Sequence, residues 1–95
     1  MKRLSATRRT TILKALSDPR RFQLLEQIAK TCKPLSCAQA RAVLPIAPAT
    51  LSHHIKELEA AGLIEVHHEG KYHFLSLKPD AINSLISTLA RLKEK

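Results

Sequence analysis

The chain has 95 residues, 44% of them hydrophobic, and sixteen Lys and Arg against eight Asp and Glu give a formal charge of +8. One domain spanning 1–95 is the expectation at this length, and so small a chain buries a modest fraction of its surface, which makes a partner copy useful. No run reaches the roughly 18 to 20 apolar residues of a membrane span, and two cysteines are too few for a disulfide scaffold.

The start carries no apolar leader, so a cytoplasmic location is expected. Phe22, Tyr72 and Phe74 are the aromatic residues, so the core must come from Leu, Ile, Val and Ala, which favours packed helices. The basic balance is the electrostatic footprint of a polyanion binder.

Met1 to Ser17 is basic and then helical, with Ile12, Leu13 and Leu16 on one face and Leu4 extending it. Within the first 21 residues, seven cations (Lys2, Arg3, Arg8, Arg9, Lys14, Arg20, Arg21) stand against Asp18, which is six of the eight net charges. Two readings stay open: an arm along a phosphate backbone, or a solvated terminus. Ser17-Asp18-Pro19 starts a second helix, because Ser17 or Asp18 can accept from the free first-turn amides and Pro19 has no donor to lose there. It runs to about Lys30 with Phe22, Leu25 and Ile28 or Ala29 inward, Leu24 alongside, and Arg20, Arg21, Gln23, Glu26, Gln27 and Lys30 outward.

Thr31 to Leu35 reads as a loop. Ser36-Cys37-Ala38-Gln39 is a capping box that opens a short helix to about Leu44, with Ala38, Ala42 and Val43 as its packing residues. Pro45-Ile46-Ala47 is the turn of a helix-turn-helix and Pro48 opens the next helix. In that helix Leu51, Ile55, Leu58 and Ala61 form one stripe, while Ala49, Thr50, Ser52, His53 and Lys56 point elsewhere. Small residues, hydroxyls and an imidazole suit close approach to base edges in a major groove.

Gly62 supplies a left-handed stop. Leu63 to His67 and Tyr72 to Leu77 are β-prone runs around His68-Glu69-Gly70-Lys71, a hairpin or wing with Gly70 at the turn. Pairing that keeps Ile64 and Val66 on the face of Leu75 and Leu77 puts Glu65, His67, Tyr72 and Phe74 on the other, and leaves the burial of the two aromatics open. Lys78-Pro79-Asp80 starts a last helix. Leu85, Ile86 and Leu89 are its main stripe, widened by Ala81, Ile82, Ala90 and Leu92, which is more apolar surface than one packed face needs. A dimer interface would use the remainder, and Arg91 to Lys95 should fray.

The class is therefore mainly α with a small β-hairpin: about five helices and a two-stranded wing, a winged helix-turn-helix. On Leu16-Ser17-Asp18-Pro19-Arg20-Arg21, Thr50-Leu51-Ser52-His53-His54-Ile55-Lys56-Glu57-Leu58 and Ala60-Ala61-Gly62-Leu63-Ile64, the chain resembles the arsenic-repressor (ArsR-type) family of transcription repressors. The resemblance covers nearly everything from Leu13 to Leu89. It implies a homodimer joined through the first and last helices, with paired recognition helices on double-stranded DNA at a near-palindromic operator. It places Pro48, Ala49, Thr50, Ser52 and His53 at the groove, Lys56 toward phosphates, and His68 and Lys71 at the wing tip. Ala47 departs from the family by offering no side-chain N-cap, a loss of about 0.5 to 2 kcal/mol that Pro48 partly offsets. The Cys-x-Cys pair of the family's metal sensors falls on Ser36 and Ala38, with Cys37 between them.

No metal or other cofactor is expected. Zinc needs about four convergent ligands, and His53, His54, His67, His68 and His73 divide between the recognition helix and the wing. The last helix offers Asp80, Asn83, Ser84 and Ser87 but no His. Cys32 and Cys37 either form a redox pair, helped by Lys33, or are one loop and one structural cysteine. His53 is expected to face DNA and His54 to pack against the wing. Ser52 beside His53 has no acid to orient the imidazole, and phosphate-loop and hydrolase motifs are missing, so an enzyme is not expected. The alternative to an operator-binding repressor is a winged-helix module that binds protein or RNA.

Overall fold

The computed structural model describes residues 4–94. Five helices and three strands follow one another in these residues: α1 (Ala6–Ser17), α2 (Pro19–Lys30), β1 (Leu35–Ser36), α3 (Cys37–Val43), α4 (Pro48–Ala60), β2 (Ile64–Glu69), β3 (Tyr72–Leu77) and α5 (Pro79–Arg91). Met1, Lys2, Arg3 and Lys95 lie outside the described residues, so two of the seven cations of the basic first stretch are not described.

Local chemistry sets the helix starts. The Arg8 amide donates to Ser5 Oγ at 3.1 Å, and Asp18 Oδ1 accepts from the amides of Arg20 at 2.9 Å and Arg21 at 3.1 Å. Asp18, rather than Ser17, is therefore the cap of α2. At α3 the capping box closes in both directions, Gln39 N to Ser36 Oγ at 3.1 Å and Ser36 N to Gln39 Oε1 at 2.9 Å. Gly62, at φ +74°, lets the chain leave α4: the Leu63 amide reaches back to the Leu58 carbonyl at 3.0 Å, the six-to-one bond of a Schellman ending.

The two-stranded wing forms as the hairpin β2–β3, and β1 adds a third antiparallel strand to its sheet, in the order β1-β3-β2. The expected loop ends a residue early: Leu35 pairs with Leu75 and Ser36 with Phe74. Two residues carry too little alternation to announce a strand, and the pairing forms because Leu35 reaches the core. Within the hairpin Ile64 pairs with Leu77 and Val66 with Leu75, so these four share a face as expected. Tyr72 is exposed and Phe74 half-buried.

Ile12, Leu24, Leu58, Leu63, Ile64 and Leu75 are the large side chains sealed in the core, one or more from α1, α2, α4, β2 and β3. Three expectations about facing need correction. Phe22 is 44% exposed and Arg21, expected outward, is buried beside Leu24, Leu25 and Ile28. The stripe of α2 is rotated because the guanidinium of Arg21 takes up carbonyls at the end of α1. In α3 the buried residue is Ala40, while Ala38, Ala42 and Val43 are exposed. Two turns have one inward line, and Cys37, Ala40 and Leu44 occupy it. In α1, Ile12 is buried but Leu13 is 44% exposed.

Candidate nucleic-acid interface

The exposed side of α4 lies opposite its core seam. Leu51, Leu58 and Ala61 are buried and Ile55 half-buried, while Pro48, Ala49, Ser52, His53 and Lys56 face solvent. Thr50 sits at the edge, half-buried. The helix presents a hydroxyl, an imidazole and an amine beside the small Pro48 and Ala49, with no acid in its first two turns. Ala47 makes no side-chain cap bond and Pro48 takes the first position. The free first-turn amides are thus left to water or to an anion, which the helix dipole favours.

His68 and Lys71 are exposed near the hairpin turn. The rings of His68 and His73 meet edge-on across the paired strands at 4.3 Å, and Lys71 Nζ lies 5.7 Å from the centre of the Tyr72 ring. Gly70, at φ +61°, makes the turn tight. Between α3 and β3 an open groove is lined by Arg41, Lys71, Tyr72, His73 and Phe74. Arg41 is not singled out by the sequence, and Tyr72 stands there only as a strand residue of open burial. An exposed tyrosine beside a turn lysine was the available signal, but only the β1 pairing brings α3 alongside.

His54 is buried, its Nδ1 accepting from Arg21 Nε at 3.4 Å. Burial holds its pKa below the usual imidazole value, with the Arg21 charge adding to that and Asp18 opposing it. The amides of Arg21 and Arg20 hold the Asp18 carboxyl below its usual range.

Both cysteines are free thiols, Cys32 exposed in the loop before β1 and Cys37 half-buried at the start of α3. Burial pushes the Cys37 thiol up, against thiolate formation, and Arg41 offsets this in part. Among the described residues no group of three or more His, Cys, Asp or Glu is arranged to hold a metal ion, and no helix is long and apolar enough to cross a membrane.

Comparison with known proteins follows this geometry. A helix-turn-helix domain family matches residues 16–67. The HTH-type transcriptional regulator YceK of Bacillus subtilis is 31% identical over 82% of this chain and 78% of its own. The arsenical resistance operon repressor of Staphylococcus aureus is 30% identical over 84% of this chain and 75% of its own. In three dimensions the chain is similar to an ArsR family transcriptional regulator at a TM-score of 0.88 with 22% identity, covering 98% of this chain and 94% of that one. The chain belongs to the ArsR-type winged helix-turn-helix transcriptional regulators, a family of DNA-binding repressors.

Proposed function

We propose that this chain is a homodimeric repressor whose two α4 helices enter successive major grooves of a near-palindromic operator, about 34 to 36 Å apart. The observation that carries this reading is the exposed side of α4, where Ser52 and His53 stand ready to reach base edges and Lys56 to reach a phosphate. Pro48, Ala49 and Thr50 line the same end of the helix, and His68 and Lys71 extend the contact from the wing. Occupancy of the operator would exclude polymerase.

The dimer is supported by apolar surface that the protomer leaves uncovered. The first half of α5 buries Ala81 and Leu85, but Ile86 is 58%, Leu89 46% and Leu92 80% exposed. Leu13 of α1 is exposed as well. A second copy covering this surface through α1 and α5 would turn a marginal monomer into a stable assembly.

Competition binding to operator and unrelated duplexes tests the reading. Replacing Ser52 and His53 by Ala should weaken operator binding and leave non-specific binding nearly intact. Equal losses in both would contradict direct readout.

A further inference from the structure

Arg21 and His54 are the buried polar side chains among the described residues, and they touch each other. Arg21 Nη1 donates to the carbonyls of Lys14 at 3.2 Å and Ala15 at 3.4 Å, near the end of α1. Both carbonyls belong to the last turn of a helix that ends at Ser17, where backbone donors run out; the Lys14 carbonyl also accepts from Ser17 Oγ at 2.7 Å. The same guanidinium, through Nε, donates to His54 Nδ1 at 3.4 Å. One side chain of α2 thus joins the end of α1 to α4. His54 sits on the buried seam of α4, next in sequence to His53 on the exposed side, their ring centres 6.1 Å apart.

The geometry fixes the protonation state. A ring nitrogen that accepts from a guanidinium carries a lone pair, so the imidazole is neutral with its proton on Nε2. That Nε2 is buried and has no partner. A second proton would turn Nδ1 into a donor facing another donor and set two cations side by side in a buried seam. The charged and titratable groups acting on His54 are Asp18, Arg20 and Arg21 from α2 and its cap, and His53 from α4. Of these only Asp18 favours the cation, and its Oδ1 already accepts two amides.

We infer that Arg21 and His54 are positioning residues for DNA recognition: the guanidinium holds α4 against α1 and α2 in the orientation that presents Ser52 and His53, and it holds only while His54 is neutral. The inference rests on α4 being the helix that reads bases. It makes recognition sensitive to acid with a distinctive sign. Protonation of His54 loosens α4 and weakens attachment to the operator alone.

The test uses the full chain, a duplex site selected by the wild-type protein from random DNA, and an unrelated duplex of equal length. The ratio of the two affinities is followed from about pH 7.5 to about pH 5, with thermal melting followed by circular dichroism at each point. The wild-type ratio should fall by about tenfold, the scale of one well-made base contact. His54→Gln supplies an acceptor that does not titrate and should hold the ratio within about twofold across the range. Arg21→Lys keeps the charge but loses the fork, and should lower the ratio by about tenfold at about pH 7.5 and leave it nearly flat toward acid while still melting cooperatively. A His54→Gln profile that falls like the wild type's, or an Arg21→Lys ratio equal to the wild type's at about pH 7.5, would overturn the inference. Ser52→Ala separates the two levels. If it leaves the ratio unchanged, α4 is not the reader and both readings fall; if it lowers the ratio while His54→Gln still follows the wild-type profile, only the positioning role falls.

Discussion

Ser52 and His53 are exposed and His54 is buried on consecutive positions of α4, so neighbouring residues carry different physics. Removing either of the first two should cost operator affinity about 1 to 3 kcal/mol, visible as relaxed sequence preference in competition assays. Replacing Lys71 by Ala should instead weaken all duplexes alike and reduce the salt slope by about one. For His54, burial lowers the folded-state pKa below the value of 6.5 of a free imidazole. Its contribution to stability is therefore complete above that value and is lost as pH falls from there toward the folded pKa, because the unfolded chain takes up the proton first. The melting temperature should drop over that window, and His54→Gln should flatten the drop. Gly62 is a second sensitive position. A Cβ there would sit in left-handed backbone and 2.9 Å from Arg8 Nη2, so Gly62→Ala should cost about 1 to 2 kcal/mol in denaturant unfolding. The glycine and the exposed side of α4 were legible in the sequence because they follow from a local stop signal and from helical spacing. The Arg21 to His54 contact was not, since it joins residues 33 apart and a cation reads as surface until its partners are placed.

Among elements, those whose ends carry chemistry were the most readable. The cap at Asp18, the box at Ser36 and Gln39, the prolines opening α2, α4 and α5 and the stop at Gly62 all lie where local hydrogen bonding requires them. Ser36→Ala should therefore cost about 1 kcal/mol, measured by chemical denaturation. Facing was less readable in the short elements. In α3, of seven residues, no periodic pattern is long enough to choose between Ala38 and Ala40, and β1, of two residues, has none at all. For α5 the surplus of apolar residues was legible, and the structure divides it: Ala81 and Leu85 inward, Ile86, Leu89 and Leu92 outward. If that outer surface joins two copies, Ile86→Glu combined with Leu89→Glu should shift sedimentation equilibrium to the monomer and lower the melting temperature. A double variant that sediments as the wild type does would place the interface elsewhere.

At the scale of the whole molecule, the +8 charge and the elongated envelope of 49 × 23 × 22 Å set what a DNA complex can look like. Net positive charge favours attachment to any duplex, steeply dependent on salt; on the proposed reading specificity comes from α4 and register from the symmetry of a dimer. A dimer that places two α4 helices one turn of DNA apart predicts an operator of two inverted half-sites, centred about 10 to 10.5 base pairs apart. Selection of bound duplexes from random DNA, followed by footprinting of the wild-type chain on the recovered site, tests this most directly. Two inverted, separately protected half-sites are expected, both lost in a Ser52→Ala, His53→Ala double variant that still binds unrelated DNA. A single undivided footprint, or protection that survives the double variant, would contradict it.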